Sequence, residues 1–180
     1  MKKTILSLAL VLTAGFIFAQ KKTTTSAVIG FDATTSIDNL PKADNKTAIA
    51  SLDTKTGKLA FEVTIKNFTF SNPRIQEHFN GEGWMNSDKF PTAAFSGDIT
   101  NLKAINFSKD GTYQIIVQGE ISIHGVTKPI EANGSVVVKG AKISATSSFK
   151  IKLDDFAVSG GAIAAGKVSK EPKISVAAEF

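Results

Sequence analysis

Most of the chain alternates apolar and polar residues with a period of two, which is typical of strands that bury one face. Each of the clearest runs places at least three apolar residues on the same face, and these runs begin at Phe61, Ile115, Ile130, Ile143 and Ile174. Shorter segments near residues 28–31, 47–52 and 93–99 bring the predicted total to about eight strands. The sequence therefore predicts an all-β fold.

Short turn signals separate these strands, at residues 53–57, 109–111, 139–140 and 159–161. Strands joined by short turns favour an antiparallel meander, and regular alternation favours one buried face. About eight strands is the number that closes into a barrel able to hold one small ligand. A two-sheet sandwich has the same local pattern, so periodicity alone leaves both architectures open.

One segment, about residues 72–80, departs from this alternation and is predicted to form a short α-helix. Asn72 suits the N-cap and Pro73 the first helical position. Ile75 and Phe79 then lie four residues apart on one helical face. A short helix that carries apolar residues beside a barrel is a candidate plug or lid.

The first residues have the order of features found in a secretory signal peptide. Two lysines precede an apolar run over residues 5–18, and Ala19 offers a small residue for cleavage. The run is short for a membrane span, which needs roughly 20 residues. Residues 1–19 are therefore expected to be a cleaved signal peptide, and residues 20–180 a single domain in the periplasm or secreted. The polar, threonine-rich residues 20–26 are expected to be a loose leader.

Composition excludes several kinds of function. The chain has no cysteine, which rules out thiol chemistry, thiolate metal sites and a lipid-modified cysteine. Without the two lysines of the predicted signal peptide, 19 basic and 16 acidic residues remain, a net charge of +3. The lysines are scattered and Arg74 is the only arginine, unlike the clustered basic residues of nucleic-acid-binding proteins. We expect no nucleic-acid partner, while transient contact with an anionic membrane surface stays open.

Candidate catalytic and metal-binding residues are few. His78 and His124 are the only histidines, and neither has the close partner that metal sites often use. We therefore expect no metal site, and a structural hydrogen bond is the favoured interpretation of His78. Asp154 and Asp155 precede a glycine-rich loop, where solvated carboxylates are common. No nucleophile elbow, phosphate loop or His-Glu-x-x-His motif occurs, so we expect no enzymatic activity.

Two blocks of residues resemble the YceI-like family. The first comprises Glu77-His-Phe-Asn80, Trp84-Met-Asn-Ser-Asp-Lys-Phe-Pro91 and Thr92-Ala-Ala-Phe95, and the second runs from Gly119 to Ile130 around Gly-Val-Thr-Lys-Pro. The resemblance extends over about residues 26–180 in order and spacing. Ile75 and Gln76 depart from it, because the family commonly has Arg-Asp there, and His124 replaces a usual basic residue.

The resemblance implies a lipocalin-like antiparallel barrel that encloses a long isoprenoid or similar amphiphile, and it implies binding without catalysis or a further cofactor. The predicted lipid contacts are Phe61, Val63, Ile65, Phe79, Trp84, Phe95, Val117 and Phe149. For the strand aromatics, ordinary core packing is an equally good interpretation. His78 and Lys128 are predicted contacts at the mouth or lipid head group. Lys128 is also predicted to be a turn residue, because Pro129 follows it.

The free energy of lipid transfer favours a carrier that exchanges its lipid with a membrane over a protein that holds it irreversibly. A bilayer is as apolar as a barrel interior, so transfer between them should involve little free energy. The sequence therefore predicts reversible carriage of an isoprenoid or other long-chain lipid. The alternatives are an envelope structural or interaction protein with a filled barrel, and an unrecognised hydrolase that uses His78. Uncovered strand edges would favour a homodimer if the barrel were incompletely closed.

Overall fold

Nine strands form within residues 21–180, the residues that the computed structural model describes. They are β1 (Lys21–Asp32), β2 (Lys42–Asp53), β3 (Lys58–Thr64), β4 (Thr69–Phe70), β5 (Thr92–Ile99), β6 (Gly111–Ile123), β7 (Val126–Lys139), β8 (Lys142–Lys150) and β9 (Lys173–Glu179). The predicted signal peptide lies outside the described residues. Within residues 21–180, no helix has the length and apolar character needed to cross a membrane.

Eight of the strands close into an antiparallel barrel. Neighbours pair in the order β1-β2-β3-β5-β6-β7-β8-β9, and β9 pairs again with β1. The short strand β4 lies outside this ring and pairs only with the start of β2. The predicted eight-stranded barrel is therefore confirmed, and the two-sheet sandwich is excluded.

Strand β1 corrects one prediction about the start of the domain. Residues 21–26 were expected to be a loose leader, but they belong to β1, and Lys21 pairs with Asp53 of β2. Strand pairing satisfies backbone groups whatever the side chains are, so a polar, threonine-rich segment can form an edge of the barrel. Gln20 lies outside the described residues.

The hairpin between β6 and β7 corrects a second prediction. Its turn consists of His124 and Gly125, which have φ values of 52° and 76°, as a two-residue hairpin turn requires. Lys128 is not a turn residue but lies within β7, opposite Ile121. Pro129 also lies within β7, and a strand tolerates proline where one side is unpaired.

The predicted helix is confirmed as α1 (Pro73–Asn80). The side chain of Asn72 accepts a hydrogen bond from the backbone N–H of Arg74 at 2.9 Å, as expected of an N-cap. Phe79 is the only residue of α1 that is fully buried. A second short helix, α2 (Gly161–Ala164), follows the 3₁₀ helix Leu153–Phe156, which begins where alternation had predicted more of β8.

Two apolar clusters close the ends of the barrel. At the α1 end lies the aromatic cap, which consists of Phe31, Phe68, Phe70, Phe79 and Trp84. Phe79 is central, with ring centroids 4.9 Å from Phe70, 5.3 Å from Trp84, 5.6 Å from Phe31 and 5.7 Å from Phe68. At the opposite end lies the floor, which consists of Leu52, Leu59, Ile99, Ile115, Val117, Val136, Val138, Ile143 and Ala145.

Candidate functional site

An apolar cavity of about 140 Å³ lies inside the barrel, between the aromatic cap and the floor. Thr146 and Ser147 are the only polar residues that line it within the described part of the chain, and no titratable side chain does so. A buried water needs about 10–15 Å³ of such space, so the cavity offers roughly ten to fourteen atom-sized positions. A largely apolar, preformed concavity of this kind is typical of a small-molecule site.

Seven of the eight predicted lipid contacts line this cavity. They are Phe61, Val63, Ile65, Phe79, Phe95, Val117 and Phe149. Phe61, Val63, Phe95 and Phe149 face inward yet stay only partly buried. Side chains in a filled core would be fully buried, so this partial exposure marks where the interior is empty. Their contact with a lipid stays a prediction.

Trp84 occupies a different place from the other predicted contacts. Its ring packs behind Phe79 in the aromatic cap, and it does not line the cavity. Its indole N–H is buried and has no hydrogen-bond partner among the described residues. Trp84 therefore supports the wall of the site through Phe79.

The two histidines lie on separate elements. His78 is exposed on α1 and makes no side-chain hydrogen bond within residues 21–180. The structural hydrogen bond expected of His78 belongs instead to His124, whose Nδ1 lies 3.2 Å from the carbonyl oxygen of Phe156. The His124 ring also packs against Phe90, with centroids 4.3 Å apart. Among the described residues, no cluster of three or more His, Asp or Glu side chains could hold a metal.

Lys128 occupies an inward-facing position at the edge of the barrel wall. It is paired with Ile121, which lines the cavity, and directly paired residues share a face of the sheet. Its side chain is nevertheless exposed, and none of the ion pairs within residues 21–180 involves it. A free ammonium group beside an apolar cavity suits the polar end of an amphiphile.

Several lining residues were missed by sequence reasoning. They include Phe31, Met85, Ile121, Ile130, Ile174 and Val176. The alternation that predicted the strands also places four of them on the inward face, so the sequence did offer a signal for Ile121, Ile130, Ile174 and Val176. Phe31 likewise shares a face of β1 with Ile29, whereas Met85 was not identifiable in this way, because it lies outside the strands.

A glycine pair fixes the position of Phe95. Gly97 and Gly119 are directly opposite each other on β5 and β6. A Cβ atom on either would lie 2.3 Å from a backbone oxygen, of Gln118 or Ser96 respectively, and within 3 Å of the Phe95 ring. The ring therefore covers the glycine pair, an arrangement in which an aromatic ring replaces missing side chains where a sheet curves.

Comparisons with known proteins agree with this architecture. A UPF0312 protein of Photorhabdus laumondii is 28% identical over 136 residues, which cover 70% of this chain and 58% of that protein. The chain thus spans little more than half the length of this curated relative.

Solved structures show the same fold. A polyisoprenoid binding domain from Saccharophagus degradans superposes with a TM-score of 0.74 at 10% identity, covering 89% of this chain and 97% of that one. BcnA of Burkholderia cenocepacia gives a TM-score of 0.70 at 16% identity, covering 86% and 96%. A YceI protein of Campylobacter jejuni gives 0.54 at 22% identity, covering 74% and 80%.

The sequence also matches a family model over nearly its whole length. The matched residues are 13–180, and the model describes the YceI-like domain. This match contains both of the sequence blocks that carry the resemblance and every strand of the barrel. The chain belongs to the YceI-like family.

Proposed function

We propose that this protein is a non-enzymatic carrier that binds a long-chain lipid of isoprenoid type inside its barrel. The observation that carries the proposal is the apolar cavity between the aromatic cap and the floor, with Thr146 and Ser147 as its only polar lining among residues 21–180. A branched hydrocarbon chain needs contact surface and no hydrogen bonds, which is what such a lining offers. The description of the related Saccharophagus degradans domain as polyisoprenoid binding supports the same ligand class.

The size of the cavity sets a scale for affinity. A chain segment of about 12 carbons, or two to three isoprene units, would fill the roughly ten to fourteen positions available. Burial of each methylene contributes about 0.8 kcal/mol relative to water, or about 10 kcal/mol in all before ordering costs. A bilayer offers the same chain a similarly apolar environment, so exchange between barrel and membrane involves little net free energy. This balance supports reversible carriage.

The lining also favours binding over catalysis. General acid–base chemistry needs a titratable side chain within hydrogen-bond reach of the reacting group. The lining within the described residues contains no Asp, Glu, His, Lys or Tyr. The signal-peptide pattern supports export to the periplasm or beyond. Free apolar lipids are insoluble in those compartments, so their transport there would need a carrier. A homodimer and transient contact with a membrane surface stay predictions.

Native mass spectrometry of the mature protein, purified from its own cell envelope, tests the proposal. The expected result is a discrete added mass that extracts into organic solvent as a polyprenyl compound. An apo mass that stays unchanged after incubation with polyprenols and isoprenoid quinones would contradict carriage, and would favour an interaction protein whose barrel only supports its outer surface.

A further inference from the structure

Strands β7 and β8 separate part of the way along the barrel. Their pairing covers only residues 134–139 of β7 and residues 147–142 of β8. Beyond that point β7 stays paired with β6 alone, and β8 stays paired with β9 alone. Residues 126–133 of β7 and 148–150 of β8 do not pair with each other, and they border a gap in the barrel wall that we call the slit.

The point of separation is stabilised by specific residues. The Ser147 hydroxyl donates to the backbone carbonyl of Asn133 at 2.7 Å. A Cβ atom on Gly134 would lie 2.6 Å from the carbonyl oxygen of Thr146, so only glycine allows the strands to approach so closely here. The Ser147 side chain thus satisfies the Asn133 carbonyl, which the next pair of the ladder would otherwise have used.

Pro129 removes one hydrogen-bond donor from the free edge of β7. The β7–β8 hairpin has a two-residue turn, Gly140 and Ala141, between the paired residues Lys139 and Lys142. Odd-numbered residues of β7 therefore direct their backbone groups toward β8. Pro129 is one of them and has no N–H to donate, and proline at such a position discourages a further strand from pairing.

Residues that line the cavity stand on both borders of the slit. Ile130 of β7 and Phe149 of β8 both line the cavity, and both stay partly exposed. The ends of the barrel are shut by comparison, since Phe79 in the cap is 2% exposed and Leu52 in the floor 0%. Incomplete strand pairing and cavity-lining residues therefore coincide at the slit.

Polar side chains stand at both ends of the slit. Thr146 and Ser147, the polar part of the cavity lining, stand where the strands separate. Lys128 occupies an exposed, inward-facing position on the β7 border. The 3₁₀ helix Leu153–Phe156 covers the upper part of the gap and is held there by the contact between His124 Nδ1 and the Phe156 carbonyl oxygen.

We propose that the slit is the mouth of the lipid site, and that it receives a single-headed amphiphile. The tail lies in the barrel and the polar group lies at the slit, beside Ser147. This rests on the proposed lipid-binding function, and it places the mouth in the side wall of the barrel, between β7 and β8, and not in the aromatic cap. A chain too long for the cavity would leave the barrel through the same gap.

A reversible staple across the slit tests the mouth. The natural chain has no cysteine, so Glu131→Cys with Lys150→Cys, both exposed at its borders, can be joined by a bis-maleimide linker that contains a disulfide. The probe is 1-aminoanthracene, an apolar fluorophore of about the size of three isoprene units, followed by stopped-flow fluorescence. We expect the linker to slow uptake at least 10-fold, with unchanged fluorescence at equilibrium, and reductant to restore the rate.

A matched staple on a fully paired seam is the control. Thr112→Cys with Val137→Cys places the same linker on the outside of the β6–β7 ladder, where the two residues are paired and exposed, and it should leave the uptake rate unchanged. Uptake through the stapled slit at the unlinked rate would overturn the proposal, as would failure of the unlinked protein to admit the fluorophore. If the fluorophore enters through the slit but polyprenols do not bind, the mouth stands and the isoprenoid assignment fails.

Discussion

Replacing Ala93 with phenylalanine should fill part of the cavity and weaken lipid binding. Ala93 lies on β5 opposite Val63, lines the cavity and is only partly buried. Its position is away from the slit, so the substitution reduces the space for the lipid without blocking the proposed mouth. The change from Ala to Phe adds a ring of six carbon atoms to this face.

The expected loss follows from the size of the cavity. Six carbons occupy about half of the roughly ten to fourteen positions that about 140 Å³ provides. Losing contact with about six methylenes removes up to about 5 kcal/mol of binding free energy. A flexible chain can shift toward the slit and recover part of this, so we expect Kd to rise at least 10-fold, which is about 1.4 kcal/mol.

Titration with farnesol, followed by displacement of 1-aminoanthracene, measures the change. Ala177→Phe is the matched control, because Ala177 is exposed on the outer face of β9 and the same ring added there should leave Kd unchanged. Overpacking costs about 1–3 kcal/mol of stability, so thermal unfolding must show that the variant is folded, and Ala93→Ile offers a smaller replacement. A Kd within twofold of the natural protein's, in a folded Ala93→Phe variant, would refute interior binding.

Three further substitutions, and one control variant, test the supporting structure. Phe79→Ala should lower the free energy of unfolding by about 3–5 kcal/mol in urea titrations, because the ring is buried among four aromatic rings; a loss under about 1 kcal/mol would contradict a fixed cap. Gly119→Ala should lower the free energy of unfolding by about 1–3 kcal/mol in the same assay, because its methyl group would meet backbone atoms. Gly161→Ala is its control: the added methyl group meets open space, so the free energy of unfolding should fall by less than about 0.5 kcal/mol. The Thr34 hydroxyl, 2.7 Å from Asp32 Oδ1, holds the pKa of Asp32 below its usual value, so this hydrogen bond stabilises the fold above about pH 4 and the contribution is lost as the pH falls. Thr34→Val should therefore destabilise the protein at neutral pH but not at about pH 2, and an equal loss at both would contradict the assignment.

Local pattern predicted the strands and the helix well, because both depend on side-chain periodicity and capping. The alternation from Ile115 to Ile123 corresponds to β6, and Asn72 caps α1 as expected. Closure of the barrel could not be predicted in this way. It depends on the pairing of β1 with both β2 and β9, and a sandwich has the same alternation.

The limits of the site prediction have a similar cause. Sequence reasoning selected seven of the lining residues, but an inward position does not show which side chains leave space between them. Lys128 and Pro129 illustrate the difficulty, since proline usually indicates a turn and here lies on an unpaired strand edge. The slit became visible only when the extent of β7–β8 pairing was known. Trp84 was expected to touch the ligand, but it lies one layer behind Phe79.

A crystal structure of the protein saturated with an isoprenoid alcohol, brominated at the end of its tail, tests interior binding most directly. The account predicts an anomalous bromine peak inside the barrel, among Phe61, Phe95 and Val117, with the hydroxyl group near Ser147 at the slit. A bromine peak on the outer surface of the barrel, with the cavity empty while lipid is bound in solution, would contradict it.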